Sequence, residues 1–216
     1  MSPARVSFST DDGFVLAGSL WKNPSTSKPS LSLVHQFNRD RNTFDALAQD
    51  AFSRGYTVLS FDVRGFGESV MKNNTHVAFT SFTAKDYQHI ARDILSAQKF
   101  LQVEHVAVVG ASIGANAALS FGVLSPSAAG LVLLSPGENF KGIDTFSPAK
   151  KNTVPFLVVS SAEDQYSNES SQRIFDLSPL SDKKLLSLEN AGHGTDMLLR
   201  NASLSKKIVD WLDDHS

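Results

Sequence analysis

Ser112 stands at the centre of Gly110-Ala111-Ser112-Ile113-Gly114, and its surroundings decide what its hydroxyl can do. The β-branched apolar run at 106–109 reads as a buried strand, and the Ala/Leu-rich stretch at 115–119 reads as a helix. A strand passing into a helix through one serine forces a very tight turn. Such a turn leaves no room for flanking side chains, which gives the glycines two positions before and after it a steric cause. The serine is then held in a strained turn with its hydroxyl exposed at a helix N-terminus. A serine that merely caps a helix is the plainer alternative. Two further residues favour chemistry. A serine hydroxyl is a weak nucleophile at neutral pH and needs a base. Histidine is the usual base, and a buried carboxylate must fix its tautomer and stabilise the imidazolium. Downstream, Asp164 closes Ser161-Ala162-Glu163-Asp164, and His193 sits in Ala191-Gly192-His193-Gly194. Glu163 and Glu138 compete with Asp164 for the acid's place.

The elements that must position these residues alternate regularly. Residues 6–9 and 14–21 alternate apolar and polar around Asp11-Asp12-Gly13, a hairpin signal. Residues 23–30 are a loop by composition. Buried strands follow at 31–34, 56–61, 106–109, 130–134, 154–159 and 183–188. Helical patterns occupy 42–54, which stops at Gly55, and 84–101; a short helix fits 172–177, and 208–212 lies in a last one. Residues 70–83 are polar and show no clear period. Strand and helix alternating after one hairpin predict an α/β fold, a mostly parallel sheet with helices on both faces. In such sheets ligands bind beyond the carboxyl ends of the strands. His35-Gln36-Phe37, Ser112, Asp164 and His193 all follow predicted strand ends.

Composition sets the outer bounds. A chain of 216 residues fits one domain over 1–216. Hydrophobic residues at 41% and charged residues at 19% are ordinary for a globular protein, and the net charge of −2 comes with no basic patch for nucleic acid or a membrane surface. No apolar run is long enough to span a bilayer, and no leader is visible at the N-terminus, so a cytoplasmic protein is expected. The absence of cysteine excludes disulfides, thiolate metal sites and a cysteine nucleophile.

The elbow Gly-Ala-Ser-Ile-Gly-Ala, the segment 61–69 (Phe-Asp-Val-Arg-Gly-Phe-Gly-Glu-Ser), the acid turn Ser-Ala-Glu-Asp and the turn Ala-Gly-His-Gly together resemble the α/β-hydrolase superfamily, among its small esterase and dienelactone-hydrolase-like forms. The chain order serine, acid, histidine is the order of that architecture. The resemblance implies an eight-stranded, mostly parallel sheet with a minimal cap, since only 136–153 separate two consecutive strands. It implies Ser112 as nucleophile, His193 as base and Asp164 as orienting acid, with no metal and no cofactor. One oxyanion-hole amide falls at Ile113, directly after the nucleophile. The second maps from the family's His-Gly-X loop onto Phe37, with Gln36 standing where glycine is usual; Gln36 and Phe37 also become substrate-contacting candidates. His35 reads as a loop brace, and Asp62 with Arg64 as a local ion pair. Phenylalanines in the loops favour a small or medium-sized, uncharged ester as partner, handled by a monomer or homodimer without nucleic acid or membrane. A non-catalytic small-molecule binding protein on the same fold is the main alternative. A dinucleotide site is a poor third, because the third glycine of its loop is missing.

Overall fold

The computed structural model describes residues 2–215. Strands β1 (Ala4–Ser9) and β2 (Phe14–Trp21) form the antiparallel hairpin that Asp11-Asp12-Gly13 predicts, with Gly13 at φ 92° in its turn. Then β3 (Ser30–Val34), a 3-10 turn at Arg41–Phe44, helix α1 (Asp45–Ser53) and β4 (Val58–Phe61) make the first parallel unit. Residues 70–83 hold a two-residue hairpin, β5 (Met71–Lys72) with β6 (Thr75–His76), and a 3-10 turn at Phe79–Ser81. The helical pattern at 84–101 divides at His89 into α2 (Ala84–Gln88) and α3 (Ile90–Leu101). The centre is β7 (Val106–Ala111), α4 (Ile113–Leu124) and β8 (Gly130–Leu134). A second small hairpin, β9 (Asn139–Phe140) with β10 (Ile143–Asp144), and helix α5 (Phe146–Lys151) fill the space before β11 (Phe156–Ser161). Helix α6 (Gln165–Leu177), β12 (Lys183–Leu188), α7 (Asp196–Arg200) and α8 (Leu204–Asp214) complete the chain.

The sheet runs β12-β11-β8-β7-β3-β4-β2, with β1 on β2 and the β5–β6 hairpin extending the β2 edge. Eight long strands match the expected number, and the short β5–β6 hairpin brings this sheet to ten among the described residues. All pairs from β12 to β4 are parallel. The central strands are apolar along their whole length because both faces are covered. Val108, Leu131 and Leu133 enter one apolar layer with α3 and α4, while Val109, Val132 and Leu134 enter the other with α1 and α8.

Asp62 and Arg64 do not pair with each other, contrary to the reading of the sequence. Asp62 takes the Arg41 guanidinium and the amides of Arg41 (2.8 Å) and Glu68 (2.9 Å). Arg64 instead crosses to Asp93 of α3 at 2.6 and 2.9 Å and to Asp12 of the first hairpin at 2.9 and 3.2 Å. Asp62 has its oxygens filled by Arg41 of the 3-10 turn and by Glu68 of its own loop, and Arg64 ties that loop to two distant elements.

Candidate active site

The spatial order β12, β11, β8, β7, β3 places five adjacent carboxyl ends in a row. Beyond them lie His193, Asp164, Ser135, Ser112 and the His35-Gln36-Phe37 loop. Ser112 links β7 to α4 at φ 51°, ψ −113°, a conformation that costs a non-glycine residue about 1–3 kcal/mol. A Cβ at Gly110 would meet the Gly114 carbonyl oxygen at 2.2 Å, and one at Gly114 would meet the Val34 carbonyl oxygen at 2.3 Å. Both flanking glycines are therefore dictated by backbone contact. Ser112 occupies the N-cap position of α4, yet its side chain makes no capping hydrogen bond. Its hydroxyl is not spent on the helix.

Asp164 likewise precedes α6 without capping it. Its Oδ2 accepts from His193 Nδ1 at 2.6 Å, and Ser167 Oγ lies 3.5 Å from the same nitrogen. Burial pushes the Asp164 carboxyl upward, but hydrogen bonds from His193 and Ser167 outweigh it and hold the group below its ordinary value. Asp164 is thus anionic at neutral pH, as a group that orients an imidazole must be. Glu163 has a different task. Its carboxylate takes the Ser161 hydroxyl at 2.6 Å and the amides of Gly192 (2.7 Å) and Asn190 (2.9 Å), which lower its pKa strongly. Glu138 turns away toward Arg173 at 3.7 Å.

The loop carrying His193 is fastened from several sides. Besides Glu163, Ser161 Oγ accepts from the Ala191 amide at 2.9 Å and Ser135 Oγ from the Gly194 amide at 2.9 Å. Gln36 Oε1 accepts from the Thr195 amide at 2.7 Å and the Thr195 hydroxyl at 2.9 Å. A Cβ at Gly194, φ 59°, would sit 2.2 Å from that same Gln36 oxygen. Where a glycine would leave a gap, Gln36 struts the loop after β3 against the loop that carries His193. Replacing Gln36 by alanine frees both loops and is expected to lower kcat on a simple ester by about 100-fold, since an ångström of misplacement costs that much. KM should barely change. A rise in KM with kcat intact would instead assign Gln36 to substrate contact.

His35 is fully buried and braces the same loop. Its Nε2 accepts from the Val63 amide at 3.1 Å, so Nδ1 carries the proton and donates to the Gln36 carbonyl at 2.8 Å. Burial pushes its pKa below the ordinary value and keeps the ring neutral. Because the peptide unit is planar and trans, pinning the Gln36 carbonyl fixes the direction of the Phe37 N–H. Among the described residues, no acceptor meets the amide of Phe37 or of Ile113. Ile113 opens α4, where the helix dipole adds positive potential.

Ser112, Asp164, His193, Gln36 and Phe37 all line one cavity of about 230 Å³. Ser135, Gly137, Phe140, Tyr166 and Ser167 complete it. Ile113 does not reach the cavity; its side chain is in the core, and only its amide is relevant. Ser112 and His193 share the cavity without a hydrogen bond between them, a distance that commonly closes only when substrate binds. Among the described residues, no cluster of His, Asp and Glu has the makings of a metal site, and no helix is long and apolar enough to cross a membrane.

A nucleophile elbow after β7 in this sheet order defines the α/β-hydrolase superfamily. Within it, residues 25–142 match the family described as serine aminopeptidase, S33. That is more than half the chain, and the protein belongs to this hydrolase family. The match includes Ser112 and the Gln36–Phe37 loop and ends before Asp164 and His193. Among solved structures, an esterase from Pyrococcus furiosus superposes with a TM-score of 0.79 at 17% identity, covering 99% of this chain and 92% of the other. A hydrolase from Pseudomonas aeruginosa gives 0.79 at 17% identity, covering 96% and 98%. An enol-lactonase from Burkholderia xenovorans gives 0.79 at 14% identity, covering 96% and 100%. At such identities these similarities speak for the fold.

Proposed function

We propose that the protein cleaves carboxylic esters, lactones included, through a covalent acyl-enzyme. Ser112 Oγ attacks the carbonyl carbon while His193 takes its proton, and Asp164 holds the imidazole and balances its positive charge. The carbonyl oxygen becomes an oxyanion received by the amides of Phe37 and Ile113. Collapse expels the alcohol, which leaves with the proton from His193. Water, activated by the same histidine, then attacks the acyl-enzyme and releases the acid and Ser112. The observation that carries this reading is the 2.6 Å Asp164–His193 bond beside a strained serine whose hydroxyl caps nothing, all on one cavity.

An ester is favoured over the N-terminus of a peptide by charge. An α-ammonium group needs a free carboxylate, and Asp164, the one carboxylate among the described residues lining the cavity, is already engaged by His193. The names of the similar esterase and enol-lactonase agree with this choice. A fluorophosphonate probe tests the reading directly. Intact mass should show one adduct on the wild-type protein and none on Ser112→Ala. No adduct on the folded wild-type protein would sink the hydrolase reading and put the non-catalytic binding protein ahead.

A further inference from the structure

The ester reading leaves a neighbouring cavity of about 330 Å³ unused, lined by Phe37, Phe79, Phe82, Tyr87 and Lys141, with Thr80 and Ala84 at its edge. Phe37 is the wall common to both cavities. Its ring lies 5.3 Å from Phe79 and 5.6 Å from Phe140, both edge-on, and 6.2 Å from Tyr87. A carbonyl oxygen held by the Phe37 amide therefore sits beside this wall, and a limb of the ester that passes over Phe37 enters the second cavity. Its lining is flat and aromatic. Tyr87 adds no free donor, since its hydroxyl is committed to the Phe79 carbonyl at 3.0 Å.

Among the described residues, Lys141 is the only charged one lining this cavity. It sits at φ 54° in the turn between β9 and β10, with Nζ 5.2 Å from the Phe37 ring centre, 5.8 Å from Tyr87 and 5.9 Å from Phe140. Among the described residues, no carboxylate pairs with it. The turn itself is fixed. Asn139 Oδ1 accepts from the Gly142 amide at 3.1 Å, and Gln88 Nε2 of α2 donates to the Gly142 carbonyl at 2.8 Å. A Cβ at Gly142 would approach the Ala84 Cβ at 2.7 Å, so the turn packs directly on α2. On the other side the Tyr166 hydroxyl, from α6, accepts from the Asn139 amide at 3.2 Å and donates to its carbonyl at 3.1 Å. A lysine with no counter-ion among the described residues thus lies over three aromatic rings beside the Ser112 cavity. Lys141 is exposed at the rim of the bowl, so an anion brought by the ligand pairs with it as a surface ion pair while the ligand's ring packs on the aromatic walls.

We propose that this bowl is a second substrate subsite and that it takes an aromatic limb bearing a carboxylate. The proposal rests on the ester reading and names its substrate class. Loop phenylalanines alone suggest an uncharged ester; the placement of Lys141 over them changes that expectation.

Two matched pairs test it. 4-Carboxyphenyl acetate against 4-carbamoylphenyl acetate places the charge on the alcohol limb, and methyl 4-carboxybenzoate against methyl 4-carbamoylbenzoate places it on the acyl limb. In one pair the carboxylate should be preferred in kcat/KM by about threefold to fivefold, the scale of one exposed ion pair, and Lys141→Glu should invert that preference. The pair that responds identifies the limb. A ratio unchanged by Lys141→Glu in both pairs would overturn the subsite. Titration of the same compounds into Ser112→Ala protein reads binding without turnover. A carboxylate preference there, lost with Lys141→Glu, supports the subsite even if wild-type protein turns nothing over, an outcome that would fail the hydrolase reading alone. Turnover with no preference in either format would fail the subsite alone.

Discussion

Replacing Asp164 by asparagine is expected to lower kcat on 4-nitrophenyl acetate by about four orders of magnitude with the fold intact. The substitution is nearly isosteric, so the argument is about a proton. His193 now donates from Nδ1 to Asp164 Oδ2 across 2.6 Å, which leaves the lone pair on Nε2 free to accept the proton of Ser112. An asparagine amide can donate to Nδ1, which moves the ring proton to Nε2 and leaves the base with nothing to accept with. The carboxylate that would balance the imidazolium in the transition state is lost as well. The adjacent substitution Glu163→Gln is the control. Glu163 holds the amides of Asn190 and Gly192 rather than the imidazole, and a glutamine oxygen can still accept from one of them. Its loss should be far smaller. Steady-state kinetics of both variants decides the matter: comparable losses, or Asp164→Asn keeping more than about a tenth of wild-type kcat, would remove Asp164 from the orienting role.

Much of this site was readable in the chain because its causes are local. Gly110 is forced by a backbone contact within a five-residue turn and Gly114 by the carbonyl of the neighbouring β3, and the apolar strand that leads into the turn has no other place than the middle of a sheet. The acid turn was readable only to within one residue. Glu163 and Asp164 follow the same strand, and what separates them is which groups of the one loop after β12 each meets, the amides of Asn190 and Gly192 or the imidazole of His193. Helix α6 shows a different limit. It begins at Gln165, yet the apolar pattern suggested only 172–177, because three of its buried positions are Ser167, Ser170 and Ser171, ahead of Ile174. Those positions keep the helical spacing i, i+3, i+4, i+7; the missing signal was hydrophobicity, since small side chains suffice for close packing. The Gln36–Thr195 strut and the Arg64–Asp93 pair lie beyond any local pattern. They join segments far apart in the chain, and no spacing rule connects them.

The Arg64–Asp93 pair has the largest expected effect on stability, and it bears on the site. Arg64 is 1% exposed and Asp93 fully buried, with Asp93 also accepting the Arg64 amide at 3.0 Å. Forming such a pair gains little over an apolar substitute, but breaking it strands a charge. Asp93→Ala leaves the Arg64 guanidinium with Asp12 alone, at the half-exposed end of the network, and should lower unfolding free energy by about 3–5 kcal/mol. Arg64→Met strands Asp93 and should cost a similar amount. The double variant Arg64→Met/Asp93→Ala removes both charges, and its loss should fall short of the sum of the singles by about 3 kcal/mol. Urea unfolding of the four proteins closes this cycle, and additive losses would show that the buried charges do not act as a pair. The exposed Lys99–Asp11 pair at 2.8 Å offers the contrast, since solvent screens it and its removal should go unnoticed. Arg64 lies two residues before Phe66, whose ring stacks on Phe79 with centroids 4.4 Å apart and meets His35 edge-on at 5.6 Å. The buried pair thus anchors the turn on which His35, the brace of the Gln36–Phe37 loop, rests, so variants that loosen it should lose turnover before they unfold.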